Sequence, residues 1–139
     1  MPHCTPEDYL ESCAEDLKNN RYEQAARSYF RFCARVRQDI SCCNDPSTQS
    51  ALDLGKMKFL NLFRGHENHM VKYLTKEIQF SVLNDVLEDT ETDQLEDPTW
   101  IGEYGLMQFL RKRDDMKPKD SWKNTRLNFI RETVYQYHV

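Results

Sequence analysis

Apolar residues recur every three or four positions along most of the chain, a period that predicts helices. A first helix is expected from about Pro6 to Asn19, with Tyr9, Leu10, Cys13, Ala14 and Leu17 on one stripe. The stretch KNNR then breaks it. A second runs from about Tyr22 to Ile40, its apolar side formed by Tyr22, Ala25, Ala26, Tyr29, Phe32, Cys33 and Val36, with the basic residues Arg31, Arg35 and Arg37 expected largely off that side. A third, Pro46 to Arg64, carries Leu52, Met57, Leu60 and Phe63, and Gly55 argues against one unbroken helix. Gly65 permits a sharp turn. From His66 to Leu87 the apolar positions wrap more than one face, so this segment is expected to be the central helix, enclosed by the others.

The acidic run EDTETDQLED has no stripe wide enough to bury and reads as a solvated loop. Helices from about Pro98 to Lys112 and from about Ser121 to Tyr137 complete the chain, joined by a charged connection through Pro118. Thr5, Asp45 and Asp97 each stand just before a proline, a pairing that caps orphan N–H groups and opens a helix. No internal repeat is present.

Composition narrows the function classes. The 139 residues suit a single domain, 1–139, and 39% apolar residues against a formal charge of −4 give enough material for a core. With 4 Gly and 5 Pro, an all-α bundle is favoured over β architectures. Neither end offers a leader or an apolar anchor, so a cytoplasmic protein with no direct membrane span is expected. The odd set Cys4, Cys13, Cys33, Cys42 and Cys43 fits reduced thiols better than a disulfide framework.

Chemistry is hard to find. Four scattered glycines exclude a phosphate-cradling loop, and neither a nucleophile elbow nor a metalloprotease motif occurs, so an enzyme is not expected and no cofactor is implied. Cys33, Cys42, Cys43, His66 and His69 lack metal-ligand spacing, so no metal site is assigned. The basic run RKRDDMKPKDSWK is interrupted by Asp114, Asp115 and Asp120 in an acidic chain, which argues against nucleic acid as a partner. NNRYEQAARSYFRFCARV matches half of a tetratricopeptide repeat, which leaves a helical protein-interaction scaffold of that type as an alternative, although one unit cannot bury its own face.

Several segments together resemble the B-cell lymphoma 2 (Bcl) family of apoptosis regulators. AEDLKNNRYE, Ala14 to Glu23, resembles the end of the family's first helix and the turn behind it. STQSALDLGKMKFLNLFRG, Ser47 to Gly65, looks like its fourth-helix region, ending in the leucine-phenylalanine-arginine-(aspartate)-glycine signature without the aspartate. ENHM, Glu67 to Met70, falls where the family has asparagine-tryptophan-glycine-arginine. WIGEY, Trp100 to Tyr104, resembles its sixth helix and DSWKNTRLNF, from Asp120, its second homology motif; a second register makes WIGEYG that motif.

The resemblance implies a Bcl-like bundle around a central hydrophobic helix. It also implies a groove that sequesters the death-motif helices of pro-apoptotic proteins such as Bim, and so inhibits apoptosis. Carried onto this chain, the groove residues are Tyr29, Phe32, Cys33, Val36, Leu60, Phe63, Glu67, Asn68, Met70 and Tyr73. The eight apolar members of that set, Cys33 included, are core first, and groove only where the fold leaves them uncovered. Met70 replaces the family's arginine and Glu67 its asparagine, so a charge-assisted bond worth about 1.5–3 kcal/mol is lost and a narrow partner range is expected. His66 to His69 are expected to cap the buried central helix, with Glu67 complementing its dipole. The very short link between the first two helices is similar to the reduced viral members of the family, which gives the pro-survival sign and a host–virus role. An open groove would favour a homodimer, and partners would recruit the chain to mitochondria.

Overall fold

A three-residue turn sets up the architecture. Helix α1 (Asp8–Lys18) ends where Asn20 takes a left-handed conformation, φ 59°, which asparagine tolerates better than most residues. The Arg21 amide donates to the Asp16 carbonyl at 2.8 Å while its guanidinium reaches the Asp16 carboxylate at 2.9 Å. The chain thereby doubles back into α2 (Tyr22–Ile40), which packs along α1. The remaining helices are α3 (Gln49–Phe63), α4 (Glu67–Met70), α5 (Lys76–Glu91) and α6 (Trp122–His138), the last preceded by a 3-10 turn, Lys119–Ser121. This computed structural model describes residues 8–43, 49–92, 95 and 117–138, which are all-α with no strand among them. No described helix is long and apolar enough to cross a membrane. The expected helix from Pro98, the Trp100–Tyr104 motif and the capping pairs at Thr5, Asp45 and Asp97 lie outside the described residues.

The central helix is α2, and the segment beginning at His66 is not. Helix α2 contacts α1, α3, α4, α5 and α6, and ten of its 19 residues are buried. It can be enclosed without being wholly apolar because its buried polar residues bond to one another and to their neighbours. The expected helix from His66 to Leu87 is instead two pieces. Helix α4 is a single turn, residues 71–75 form a turn between the two helices, and Thr75, in an extended conformation, opens α5 by accepting the Ile78 amide on its hydroxyl at 3.3 Å. Helix α5 continues to Glu91, so the first half of the acidic run is helical rather than loop, with Thr90 buried.

Two clusters form the core. In one, Cys13 and Leu17 of α1 and Phe32, Cys33 and Val36 of α2 meet Leu52, Phe59 and Phe63 of α3, with Met70 of α4. In the other, Ala34 meets Val82, Leu83 and Val86 of α5 and Ile130 of α6. Contrary to expectation, Gly55 does not interrupt α3. A Cβ there would lie 1.9 Å from Cζ of Phe32, so the glycine is the notch into which that ring fits. The cost of glycine within a helix, about 1 kcal/mol, is outweighed by the burial it permits.

Candidate functional site

The buried stripe of α3 is Leu52, Gly55, Phe59 and Phe63; it differs from the expected one, which contained Met57 and Leu60. Those two stand outside, 61% and 59% exposed. At 100° per residue, Gln49, Asp53, Lys56 and Leu60 share one face of the helix, with Met57 on its flank and Arg64 in the turn just beyond its end. Gln49, Leu52, Asp53 and Lys56 form one wall of a cleft of about 440 Å³. Arg37, Ile40 and Ser41 from the end of α2 form the opposite wall, and Phe129 of α6 contributes an apolar edge. The cleft is thus a seam between α2 and α3, and Leu60 lies on α3 about one turn beyond Lys56.

Cys33 is buried in α2, one turn before Arg37. Burial pushes its thiol above the ordinary range, opposed by the positive charges of Arg37 and Lys56 and by a hydrogen bond with Tyr29. Tyr29 is pushed up to about 12, chiefly by desolvation and next by Cys33. Its ring meets Phe59 and Phe63 edge-on, at centroid distances of 5.4 and 5.8 Å, and stays half-buried beside the seam. A thiol and a phenol held protonated in this way are poor nucleophiles and serve as packing.

The ten expected groove residues separate into two groups. Phe32, Cys33, Val36, Phe63 and Met70 are core side chains, closed to a partner helix in this conformation. Tyr29 and Tyr73 are half-buried, while Leu60, Glu67 and Asn68 are exposed. Tyr29, Cys33 and Leu60 lie on the elements that border the seam; Glu67 and Asn68 belong to α4 and Tyr73 to the turn that follows it.

That turn has a different task from the one expected of it. His66 makes no side-chain cap bond, and Glu67 accepts the Gly65 amide at 2.8 Å. His69 stacks on Tyr22 with centroids 4.5 Å apart and planes 4° from parallel, and His66 approaches the same ring at 6.0 Å. The polar cluster therefore clasps the start of α2 instead of capping a buried helix. Among the described residues, no group of three or more His, Cys, Asp or Glu side chains is arranged to hold a metal ion.

No protein family, curated protein or solved structure matches this chain. Its residues alone therefore carry the functional reading.

A buried polar network was not foreseen from the apolar pattern. Arg35, Gln38 and Asp39 of α2 are at most 1% exposed. Asp39 accepts from Arg126 of α6 at 2.7 and 2.8 Å, and Arg35 stands 3.9 Å from its other oxygen. Gln38 donates to the Thr90 hydroxyl at 2.9 Å and to the Arg126 carbonyl at 3.3 Å. The network joins α2, α5 and α6 and has no open approach, so it holds the fold together and leaves recognition to the surface.

Proposed function

We propose that this chain is a helix-capturing interaction domain that restrains cell death by sequestering the death-motif helices of pro-apoptotic proteins. The observation that carries the reading is the distribution of exposed apolar side chains. Of the five large hydrophobic residues exposed among the described ones, Met57, Leu60, Val71 and Leu74 fall within one stretch, and Tyr135 stands apart. That stretch contains the segment in which the Bcl resemblance is densest. Exposed apolar residues on a helix that borders a cleft suit a partner presenting anchors at i, i+3, i+4 and i+7. The seam between α2 and α3 offers Ile40, Leu52 and Phe129 to the first such anchor and Leu60 to the next. The pro-survival sign rests on the likeness of the short α1–α2 link to reduced viral members of the family.

The test is titration of the purified protein with labelled death-motif peptides, followed by fluorescence anisotropy. At least one peptide should bind, and Leu60→Arg should remove that binding by at least about tenfold, because a buried anchor contact is worth 1.4 kcal/mol or more. Since Leu60 is exposed, the circular dichroism of the variant should match the parent. Absence of binding across the whole panel by a folded protein would end the proposal.

A further inference from the structure

The described arginines follow a rule with two exceptions. Arg21, Arg27, Arg31, Arg35, Arg126 and Arg131 each stand within 4 Å of a carboxylate. Arg37 and Arg64 are the other two described arginines, and among the described residues neither has an ion-pair partner. Both lie in or just beyond the last turn of a helix, where the dipole favours a cation. That accounts for the charge and leaves the five guanidinium donors of each without a carboxylate.

Their positions bracket the exposed apolar row. Arg37 lines the seam cleft opposite Lys56, which is likewise without an ion pair among the described residues. Arg64 lies eight residues beyond Lys56, in the turn just past the end of α3, with Leu60 midway on the helix and Met57 on its flank. From Lys56 to Phe63, the last residue of α3, the helix rises roughly 10 Å, and Arg64 stands just past it. Asp53 is the one acidic side chain that lines the cleft, against two cations. Between Lys56 and Lys76 the chain carries Lys56, Lys58, Arg64, Lys72 and Lys76 against the single acid Glu67, although the whole protein is acidic at −4.

We infer that this face takes an amphipathic helix whose apolar anchors are flanked by acidic side chains about eight residues apart, one meeting Arg37 and Lys56 and the other Arg64. The inference rests on the helix-capture reading and adds to it the charge pattern of the partner. Unpaired guanidiniums beside exposed apolar residues gain most from a carboxylate delivered together with apolar area, since the incoming anchors exclude water from the charged contact. A basic or uncharged helix of the same apolar stripe would leave those donors desolvated.

The experiment uses two helical peptides of about 20 residues, long enough to form helix on binding. They share one apolar stripe and carry either Glu or Lys at the two flanking positions. Affinity is measured by anisotropy at low and high salt against the parent protein, Arg64→Glu, and the double variant Arg37→Glu/Lys56→Glu. The acidic peptide should bind the parent, weaken as salt is raised, and lose about tenfold or more on either charge-reversed protein. The lysine peptide should recover affinity on those same variants. Equal binding of both peptides, without salt dependence, overturns the charge pattern while helix capture stands. If neither peptide nor any death-motif peptide binds the folded parent, both ideas fall together. Circular dichroism of Arg64→Glu, an exposed position in a turn, controls for the fold.

Discussion

On one side of α2, Phe32 meets Phe59 at a centroid distance of 5.1 Å, and Val36, Leu52 and Phe63 close the space around them. On the other side, Ala34 lies against Val82, Val86 and Ile130, and beside this small apolar contact Asp39 holds Arg126 with Gln38 bonded to Thr90. The same helix is fixed by aromatic volume on one side and by charge geometry on the other. Aromatic contacts tolerate some sliding, because area removed from water has no direction. The ion pair tolerates little, and it ties α6 to one place on α2. The difference also bears on function: the aromatic side borders the seam and its exposed residues, while the charged side faces inward.

The contrast can be broken most severely at Asp39. Asp39→Asn keeps the shape and removes the charge, which strands the buried Arg126 guanidinium at a cost of about 3–5 kcal/mol in unfolding free energy. Adding Arg126→Met should restore part of that loss, because one desolvated charge goes with its partner while the buried Arg35 beside the other oxygen stays. On the aromatic side, Phe59→Ala should cost a similar amount, about 3–5 kcal/mol, with no such recovery when Phe63 is truncated as well. Urea unfolding of the two double-mutant cycles measures both. Recovery on the aromatic side, or none on the charged side, would show that the two faces are not held as described.

A smaller effect is expected at Gly55. Ala is the better helix former by about 1 kcal/mol, yet the added methyl would meet the Phe32 ring, which is fully buried and backed by Phe59. A net loss of about 1–3 kcal/mol is expected for Gly55→Ala, in the range of overpacked cores. In a Phe32→Leu background the same substitution should be neutral or stabilising. If Gly55→Ala stabilises the parent, the notch is no constraint on the aromatic side.

These two positions also show what the sequence could reveal. Helix α2 was legible to the residue, Tyr22 to Ile40, because its aromatic face repeats at helical spacing between two polar breaks. Gly55 looked like an interruption because the ring that needs it lies 23 positions earlier. Arg35 was expected largely off the apolar side and Asp39 drew no expectation, since the Arg126 that pairs with Asp39 is 87 residues away from it. The break after Met70 was hidden by Val71 and Leu74, which extend the apolar pattern while standing 68% and 38% exposed. Thr75, an N-cap residue type just before Lys76, was the available signal. Leu60 was among the expected groove residues and stands exposed on α3, whereas Met57, Arg37, Lys56 and Arg64 were not among them. Apolar periodicity does not separate a residue that packs from one left outside, and charge alone does not tell a paired arginine from an unpaired one.

The mildest test is titration with base, which reads the two sides through their cysteines. Burial, reinforced by Asp16, pushes the Cys13 thiol from 9.0 up to about 12, and burial pushes Tyr29 from 10.0 to about 12, both beside the aromatic cluster. Cys42, close to Arg126 and Asp39, rises from 9.0 to about 11, with burial again the main cause. Each group keeps its proton in the folded chain after the unfolded chain has released it, so the unfolded state binds fewer protons above pH 9. Stability should therefore be level up to about pH 9 and fall as pH rises toward 11 to 12, with a fully responding group contributing about 1.4 kcal/mol per pH unit. Urea midpoints at pH 8 and pH 10 should differ in that direction. Cys13→Ala and Cys42→Ala should remove similar amounts of the slope between pH 8 and pH 10, where both thiols keep their protons in the folded chain, and Cys13→Ala should remove more above about pH 11, where Cys42 has begun to release its own. Equal slopes above about pH 11 would mean that the charged side isolates its thiol from water as completely as the aromatic side does.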